Sequence, residues 1–325
     1  MSMAPRTLLL LLLALVPGAL ILALGSGSQD LPWSAVWRGL AGDTGLDARI
    51  VAELRLPRAL LALATGGLLA LAGALMQALL RNPLADPYVL GVSGGAATGA
   101  LLALLLGGSA LAQHGAALAG AVAAILGVLA LAHGSGRFSP ARLLLSGIIL
   151  AAGWNAVVAF VLTLGEPGEL RGMLFWLMGD LGFGPAPEPA LAALVLGLAL
   201  AWPLARPLNV LLQGETLAGA LGVEVVPLQR RLFLLAALLT AVAVTHAGSI
   251  GFVGLVVPHL LRLAGLRDHR WLLPAAVLGG GVLLLLADTA ARTVLAPRQL
   301  PVGVLTAALG VPVFLYLLNR RGQRP

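Results

Sequence analysis

Apolar residues run along this chain in long unbroken stretches parted by short polar breaks, without the strict alternation of a half-buried strand. Ten stretches approach or reach the roughly 17–25 residues that a helix needs to cross a hydrocarbon core. They cover residues 7–24, 57–80, 88–106, 116–132, 142–164, 189–212, 232–248, 249–264, 271–290 and 301–318. The pattern predicts an all-α polytopic membrane protein of about ten transmembrane helices, forming one membrane domain over residues 1–325. A membrane barrel would show short alternating segments instead. The first stretch follows Arg6 and resembles the core of a signal peptide, but no A-x-A-like cleavage site follows it, so it reads as a retained span.

The polar breaks carry more information than the spans. Residues 213–231, QGETLAGALGVEVVPLQRR, are longer than a simple reversal needs. Gln213, Gly214 and Glu215 read as a helix start, with Thr216 following. Leu217 and Leu221 lie four apart on one face, beside the small residues Ala218 and Ala220. Gly222 stands where a helix end places a glycine. Glu224 and Pro227 then open a second helix, with Arg230 and Arg231 at its mouth. Two short helices with apolar exposed faces form a docking element; an amphipathic interfacial turn gives the same pattern.

The chain is 59% hydrophobic and 10% charged, with a mean hydropathy of +0.99. It has no cysteine, and all 20 basic residues are arginine. Without lysine there is no Walker A motif and no Schiff-base amine. Without cysteine there is no disulfide, thiolate metal site or thiol nucleophile. With both termini cytosolic, arginines 6, 81, 137, 142, 206, 230, 231, 262, 267, 270, 320, 321 and 324 lie inside, and 38, 49, 55, 58, 171, 292 and 298 outside. Thirteen against seven fits the positive-inside rule and places residues 213–231 in the cytosol. The net charge of +7 is thus split between two membrane faces and is no nucleic-acid signal.

In the outer loop 25–56, Trp33 and Trp37 suit an interfacial helix. Arg55 and Arg58, three apart just before a span, would share a face and point outward, either as interfacial anchors or as docking points for carboxylates. Gly66, Ala70 and Ala74 form a small-residue stripe in the second span, which also carries Gly73 and Gln77. Gly91, Gly95 and Gly99 form another after Asn82-Pro83 and Asp86-Pro87. Such stripes let helix backbones approach closely. Asn155 is a polar group at bilayer depth, to be placed against the bundle or a wet path. The segment MLFWLMG is too short to span and reads as re-entrant or interfacial. His114 and His246 fall near outer ends of spans, and His259 near a cytosolic end beside Arg262, Arg267 and Arg270. Each histidine, or Tyr88, is an iron ligand by type, though more often a satisfied polar residue. Asp288 and Arg292 lie at i, i+4 and pair as helix neighbours.

The motifs ELRLPRAL, GALMQALLRNPLADPYVLGVSGGAA, FWLMGDL, GETLAGALG, GFVGLVVPHLLRLAGLRDHRWLLP, LADTAAR and LPVGVLTAALGVPVFLYLL occur in this order. Together they resemble the FecCD-type permeases, the membrane subunits of type II ABC importers for cobalamin, haem and ferric siderophores, over about residues 50–320. The resemblance implies a homodimer of ten-helix subunits, a cytosolic ATPase dimer that uses the ATP and magnesium, and a periplasmic substrate-binding protein. It places residues 213–227 as the coupling helices seated on the ATPase, and Arg55, Arg58 and Arg292 against acidic residues of the binding protein. Arg298 stands where many members have no arginine. The path between subunits is expected along the second, fifth and tenth spans, with Gly66, Gly73, Gln77, Gly91, Gly95, Gly99 and Asn155 in path or packing roles. No cofactor of the chain's own is implied. An ion-coupled secondary transporter is disfavoured because the span interiors hold almost no ionisable residues.

Overall fold

The computed structural model describes residues 4–29, 31–133, 139–182 and 186–321, and these contain helices and loops without a strand. The helices in chain order begin with α1 (Pro5–Gly25), α2 (Trp33–Leu40) and α3 (Leu46–Arg49), the last continuing through a π-helical turn at Ile50–Arg55 into α4 (Leu56–Leu79). A 3-10 turn at Pro87–Leu90 leads to α5 (Val92–Leu105), then α6 (Ala110–His133), α7 (Pro140–Leu164), α8 (Pro167–Met178) and α9 (Glu188–Ala201). A second 3-10 turn, Trp202–Leu204, precedes α10 (Ala205–Leu211), α11 (Glu215–Ala220), α12 (Val225–Ala247), α13 (Val253–Leu263), α14 (His269–Thr293) and α15 (Val302–Arg321).

Among the described residues seven helical stretches are long and apolar enough to cross a membrane, and α5, α13 and the described part of α15 are shorter apolar helices, so ten apolar rods match the ten expected. Three depart from the apolar pattern for local reasons. Pro87 and Gly91, the latter at φ 72°, spend the first turns of the third stretch on a 3-10 turn and a left-handed cap. This leaves α5 with 14 residues, about 21 Å of helix. The eighth stretch loses its first turn because Phe252 sits at φ 69°, and α13 keeps 11 residues. The helix over 225–247 starts well before the apolar run at 232, because nothing between Pro227 and Leu232 breaks a helix and proline is tolerated in a first turn. The expected second short helix of the polar break is therefore the opening of α12, and α11 stands alone.

The enclosed axis of the fold is α4. It packs against α14, α12, α13 and α9, and 89% of its most apolar window is buried, against 17% for α1 and α7. Small residues make that enclosure possible. A methyl on Gly66 would collide with the Gly280 carbonyl of α14, and one on Gly73 with the Gly254 carbonyl of α13. The same holds between Gly95 and Gly120, and between Gly99 and the Ala116 carbonyl, where α5 meets α6. Gly66, Gly95 and Gly99 of the stripes, and Gly73 beside them, are contact points of backbone on backbone. Gly91 is different. It precedes α5 rather than lining its face, and its positive φ is what the sequence needs there a glycine for.

One end of the bundle, the α8 end, gathers α2, α3, α8 and the close of α1. The other, the α11 end, gathers the close of α4 with α10, α11 and the start of α14.

Candidate functional site

At the α11 end the chain builds a small protruding helix. Gly214, at φ 122°, breaks away from α10, and Glu215 enters the first turn, where a carboxylate suits the helix N-terminus. The helix closes in a Schellman motif: the Val223 amide donates to the Ala218 carbonyl and the Gly222 amide to the Gly219 carbonyl, with Gly222 at φ 82°. Ala218 is buried against the bundle. Gln213, Thr216, Leu217, Ala220, Leu221 and Gly222 are exposed, with Leu217 and Leu221 at 48% and 64%. One leucine on the six-residue helix and one at its C-cap make an apolar contact patch.

The patch is fixed to the core through Glu215. Its carboxylate accepts from the Arg81 guanidinium at 2.6 Å and from the Gln229 amide at 3.2 Å. Arg81 lies just past the end of α4, at φ 48°, so α11 is tied to the enclosed helix and to α12 at once. Nearby, the Asn209 side chain donates to Asp268 at 2.7 Å and accepts from the His269 amide at 3.0 Å, joining α10 to the start of α14.

Deeper in the same half, Gln77 fills a role that neither stripe nor motif announces. Pro258 inside α13 has no N–H for the Gly254 carbonyl. The Gln77 amide donates to that carbonyl at 3.4 Å and to the Leu255 carbonyl at 3.1 Å, and its oxygen accepts from Arg262. Gln77 is buried and belongs to the α4–α13 contact.

At the α8 end the expectation that Arg55 and Arg58 point outward fails for the side chains. Arg55 is buried and donates to the carbonyls of Leu24 at 2.8 Å, Gly25 at 3.1 Å and Gln29 at 2.6 Å. Arg292 donates to the Ala23 carbonyl at 3.3 Å and the Ser26 carbonyl at 3.4 Å. The two guanidiniums thus collect the carbonyls of Ala23, Leu24 and Gly25, which the C-terminus of α1 leaves without helical partners, and those of Ser26 and Gln29 just beyond it, where positive charge is favoured. Arg58 turns to Asp288, which also accepts from Arg292 at 3.1 Å, confirming the i, i+4 pair. Arg58 further donates to Gln299 at 3.0 Å and lies 3.7 Å from Asp180. Its side chain keeps 12% exposure, against 6% for that of Arg292 and none for that of Asp288.

Asn155 is exposed on α7, among the exposed apolar residues Ile148, Ile149, Val157 and Phe160. Among the described residues no side-chain hydrogen bond joins this amide to the rest of the bundle. Tyr88 is satisfied structurally, its hydroxyl accepting from the Ile250 amide at 2.9 Å. His259 is buried, with its ring 6.5 Å from that of Phe314. His114 and His246, far apart in sequence, line one cavity at the α8 end. Trp33 and Trp37 are both exposed on α2. Arg137 and Arg324 fall outside the described residues. The pairings Arg81–Glu215, Gln77–Arg262 and Asn209–Asp268 join positions too distant in sequence for any spacing to reveal.

The model of the FecCD transport family matches residues 10–320. The hemin transport system permease protein HmuU of Yersinia pestis is 42% identical over 334 residues, covering 98% of this chain and 97% of that protein. The vitamin B12 import system permease protein BtuC of Salmonella typhi is 41% identical over 320 residues, covering 97% and 95%. Among solved structures, an inward-facing metal-chelate type ABC transporter aligns at TM-score 0.84 and 31% identity over 97% of this chain and 99% of that one.

Proposed function

The chain belongs to the FecCD transport family, and from that premise we propose that it is the permease subunit of an ATP-driven importer that moves a bulky metal chelate, haem or a ferric siderophore, into the cell. It works as a homodimer in the cytoplasmic membrane, with both termini cytosolic. A separate ATPase dimer hydrolyses ATP with magnesium, and a periplasmic binding protein delivers the cargo. The chain itself holds no cofactor and makes or breaks no covalent bond.

The observation that carries this reading is α11. A six-residue helix with exposed leucines on it and at its C-cap, ion-paired to the end of the enclosed α4, is a lever head. In the proposed cycle the ATPase dimer closes on Gln213–Gly222, α11 shifts, and the spans rock between outward and inward openings. At the opposite end, Arg55, Arg58 and Arg292 form the docking region. Arg58, the more exposed, meets a carboxylate of the binding protein, while Arg55 and Arg292 hold the close of α1 behind it. The exposed α7 face with Asn155 supports a path along the subunit interface, where small and weakly polar walls let a large chelate slide. The close-packed glycines Gly66, Gly73, Gly95 and Gly99, with Gln77 and the Gly91 cap, keep each half-bundle rigid as it rocks.

A cobalamin cargo is the second reading, supported by the similarity to BtuC. Proteoliposomes holding the permease, its ATPase and its binding protein test both. Uptake of hemin or a ferric siderophore that needs ATP and stops with vanadate is expected; uptake of cyanocobalamin in preference would establish the second reading. Accumulation by the permease alone, without nucleotide, would overturn the proposal altogether.

A further inference from the structure

At the α8 end a cavity of about 650 Å³ lies between the α5–α6 loop, α8 and the close of α12. Its walls include His114 from α6, His246 from α12, and Arg171, Phe175 and Trp176 from α8. Asp180 lines it as well and lies 3.7 Å from Arg58, so the cavity borders the arginine cluster.

Both histidines set Nδ1 against the carbonyl four residues back on their own helix, and that of His246 also lies 3.4 Å from the Thr245 hydroxyl. The Nδ1 of His114 lies 2.6 Å from the Ala110 carbonyl, and the Nδ1 of His246 lies 2.9 Å from the Val242 carbonyl. A carbonyl oxygen only accepts, so each Nδ1 carries a proton, and Nε2 is the nitrogen whose lone pair a metal would take. A ring held through Nδ1–H to a backbone carbonyl, with Nε2 left over, is the arrangement that prepares a histidine for metal.

The rest of the cavity decides what kind of metal. Among the described residues no three His, Asp or Glu side chains gather closely enough to hold an ion. Two imidazoles are a poor cage for a bare cation, which wants three or four protein ligands. An iron already held by a planar chelator needs only axial nitrogen. The volume also fits a compact organic ligand, falling inside the roughly 300–1,000 Å³ of small-molecule pockets, and is far larger than an ion needs. Phe175 and Trp176 offer aromatic surface, and the Arg171 guanidinium, 5.7 Å above the Phe175 ring, offers a fork for a carboxylate.

We propose that this cavity is a binding site for a carboxylate-bearing iron porphyrin, with His114 and His246 as axial ligands and Arg171 on the carboxylate. The proposal rests on the reading that the cargo is a metal chelate and narrows it to one class. In that reading the site is a holding point beside the docking arginines, within each subunit.

Hemin titrated into the purified permease in lipid nanodiscs tests it. A histidine-ligated Soret spectrum is expected, saturating at one hemin per chain. His114→Ala/His246→Ala should lose that spectrum, and Arg171→Gln should weaken binding about tenfold with the spectrum kept, the loss of about 1.4 kcal/mol. The milder His114→Gln and His246→Gln variants, checked for an unchanged melting temperature, guard against misfolding. Equal hemin spectra in the wild type and the double histidine variant, or no histidine-ligated spectrum at all, would overturn the site. The two readings fail separately. ATP-driven hemin uptake by the full complex without any histidine-dependent spectrum removes the site alone. Hemin bound through these histidines, with no uptake of any chelate, removes the importer and leaves the site.

Discussion

Arg58 and Asp288 meet across 230 residues of chain, the guanidinium 2.8 Å from a carboxylate that solvent does not reach. Arg292 approaches the same carboxylate at 3.1 Å, so one anion serves two cations where α4 meets α14. Removing the anion leaves two desolvated charges, and breaking a buried pair from one side costs about 3–5 kcal/mol. Asp288→Asn keeps the shape and removes the charge. It is expected to lower the melting temperature in nanodiscs sharply, and Arg58→Met less, because Arg292 still neutralises Asp288. A melting temperature unmoved by Asp288→Asn would show that the cluster does not hold the two helices.

The same pairing shapes any test of docking. Charge reversal at Arg58 both repels a partner carboxylate and strands Asp288. Arg58→Gln is the cleaner variant, and it is expected to weaken binding-protein association several-fold at low salt, with less effect at high salt where charges are screened. Association unchanged at both salt concentrations would remove Arg58 from the docking region.

Close packing gives an independent prediction. On Gly66, a single methyl would strike the Gly280 backbone, which has no flexible end to move aside. Gly66→Ala is expected to destabilise by about 1–3 kcal/mol, as overpacking does. Gly18 in α1 has nothing within 4 Å of the added carbon, so Gly18→Ala should be neutral or slightly stabilising. Comparable losses in both variants would point to a general intolerance of side chains rather than to the α4–α14 contact.

What the residue pattern made legible is what depends on short-range chemistry. Apolar run length gave the ten rods, and small-residue spacing gave the contact glycines Gly66, Gly95 and Gly99. The Gly214 and Gly222 punctuation gave α11. The direction of side chains was not legible in the same way. Arg55 and Arg58 look outward when only their own helix is considered. What turns them inward is a set of α1 carbonyls and Asp288, contributed from about 30 and 230 residues away. His114 and His246 likewise stand as unrelated residues until α6 and α12 bring them to one cavity. Helix boundaries failed where a positive φ, as at Phe252, or the absence of any breaker, as between Pro227 and Leu232, overrode hydropathy.

Asp268 sets a pH window for the α10–α14 junction. The Arg270 side chain, donating at 2.6 and 2.8 Å, holds its carboxyl down at about 2, with help from its own backbone amide and from Asn209. An ordinary aspartate titrates near 3.9. A depressed native value means that stability is fully present above about 4 and is lost as pH falls toward 2. The gap in melting temperature between the wild type and Asp268→Asn should therefore stay level from pH 8 to 5 and narrow only below about 4. The gap is expected to be small, since the pair is at the surface and worth at most about 1 kcal/mol. Narrowing already between pH 7 and 5 would assign the effect to another group.

The lever itself is tested at Arg81 and Glu215. Their 2.6 Å contact is half exposed, so it contributes little to folding, about 0.2–1 kcal/mol. Its importance lies in position, because it fastens the exposed leucines of α11 to the helix that the rest of the bundle surrounds. Leu217→Asp/Leu221→Asp should lose the ATPase on co-purification while inserting normally. Glu215→Arg should behave differently: the ATPase still binds, but hydrolysis and uptake come apart, so that ATP is consumed with little cargo moved. Restoring the pair in reverse, Arg81→Glu with Glu215→Arg, should recover uptake, since attraction is symmetric in sign while the leucines are untouched. A single Glu215→Arg variant that transports at the wild-type rate would show that force reaches the spans by another route, and the continuous backbone from α11 into α12 would then be the remaining physical connection.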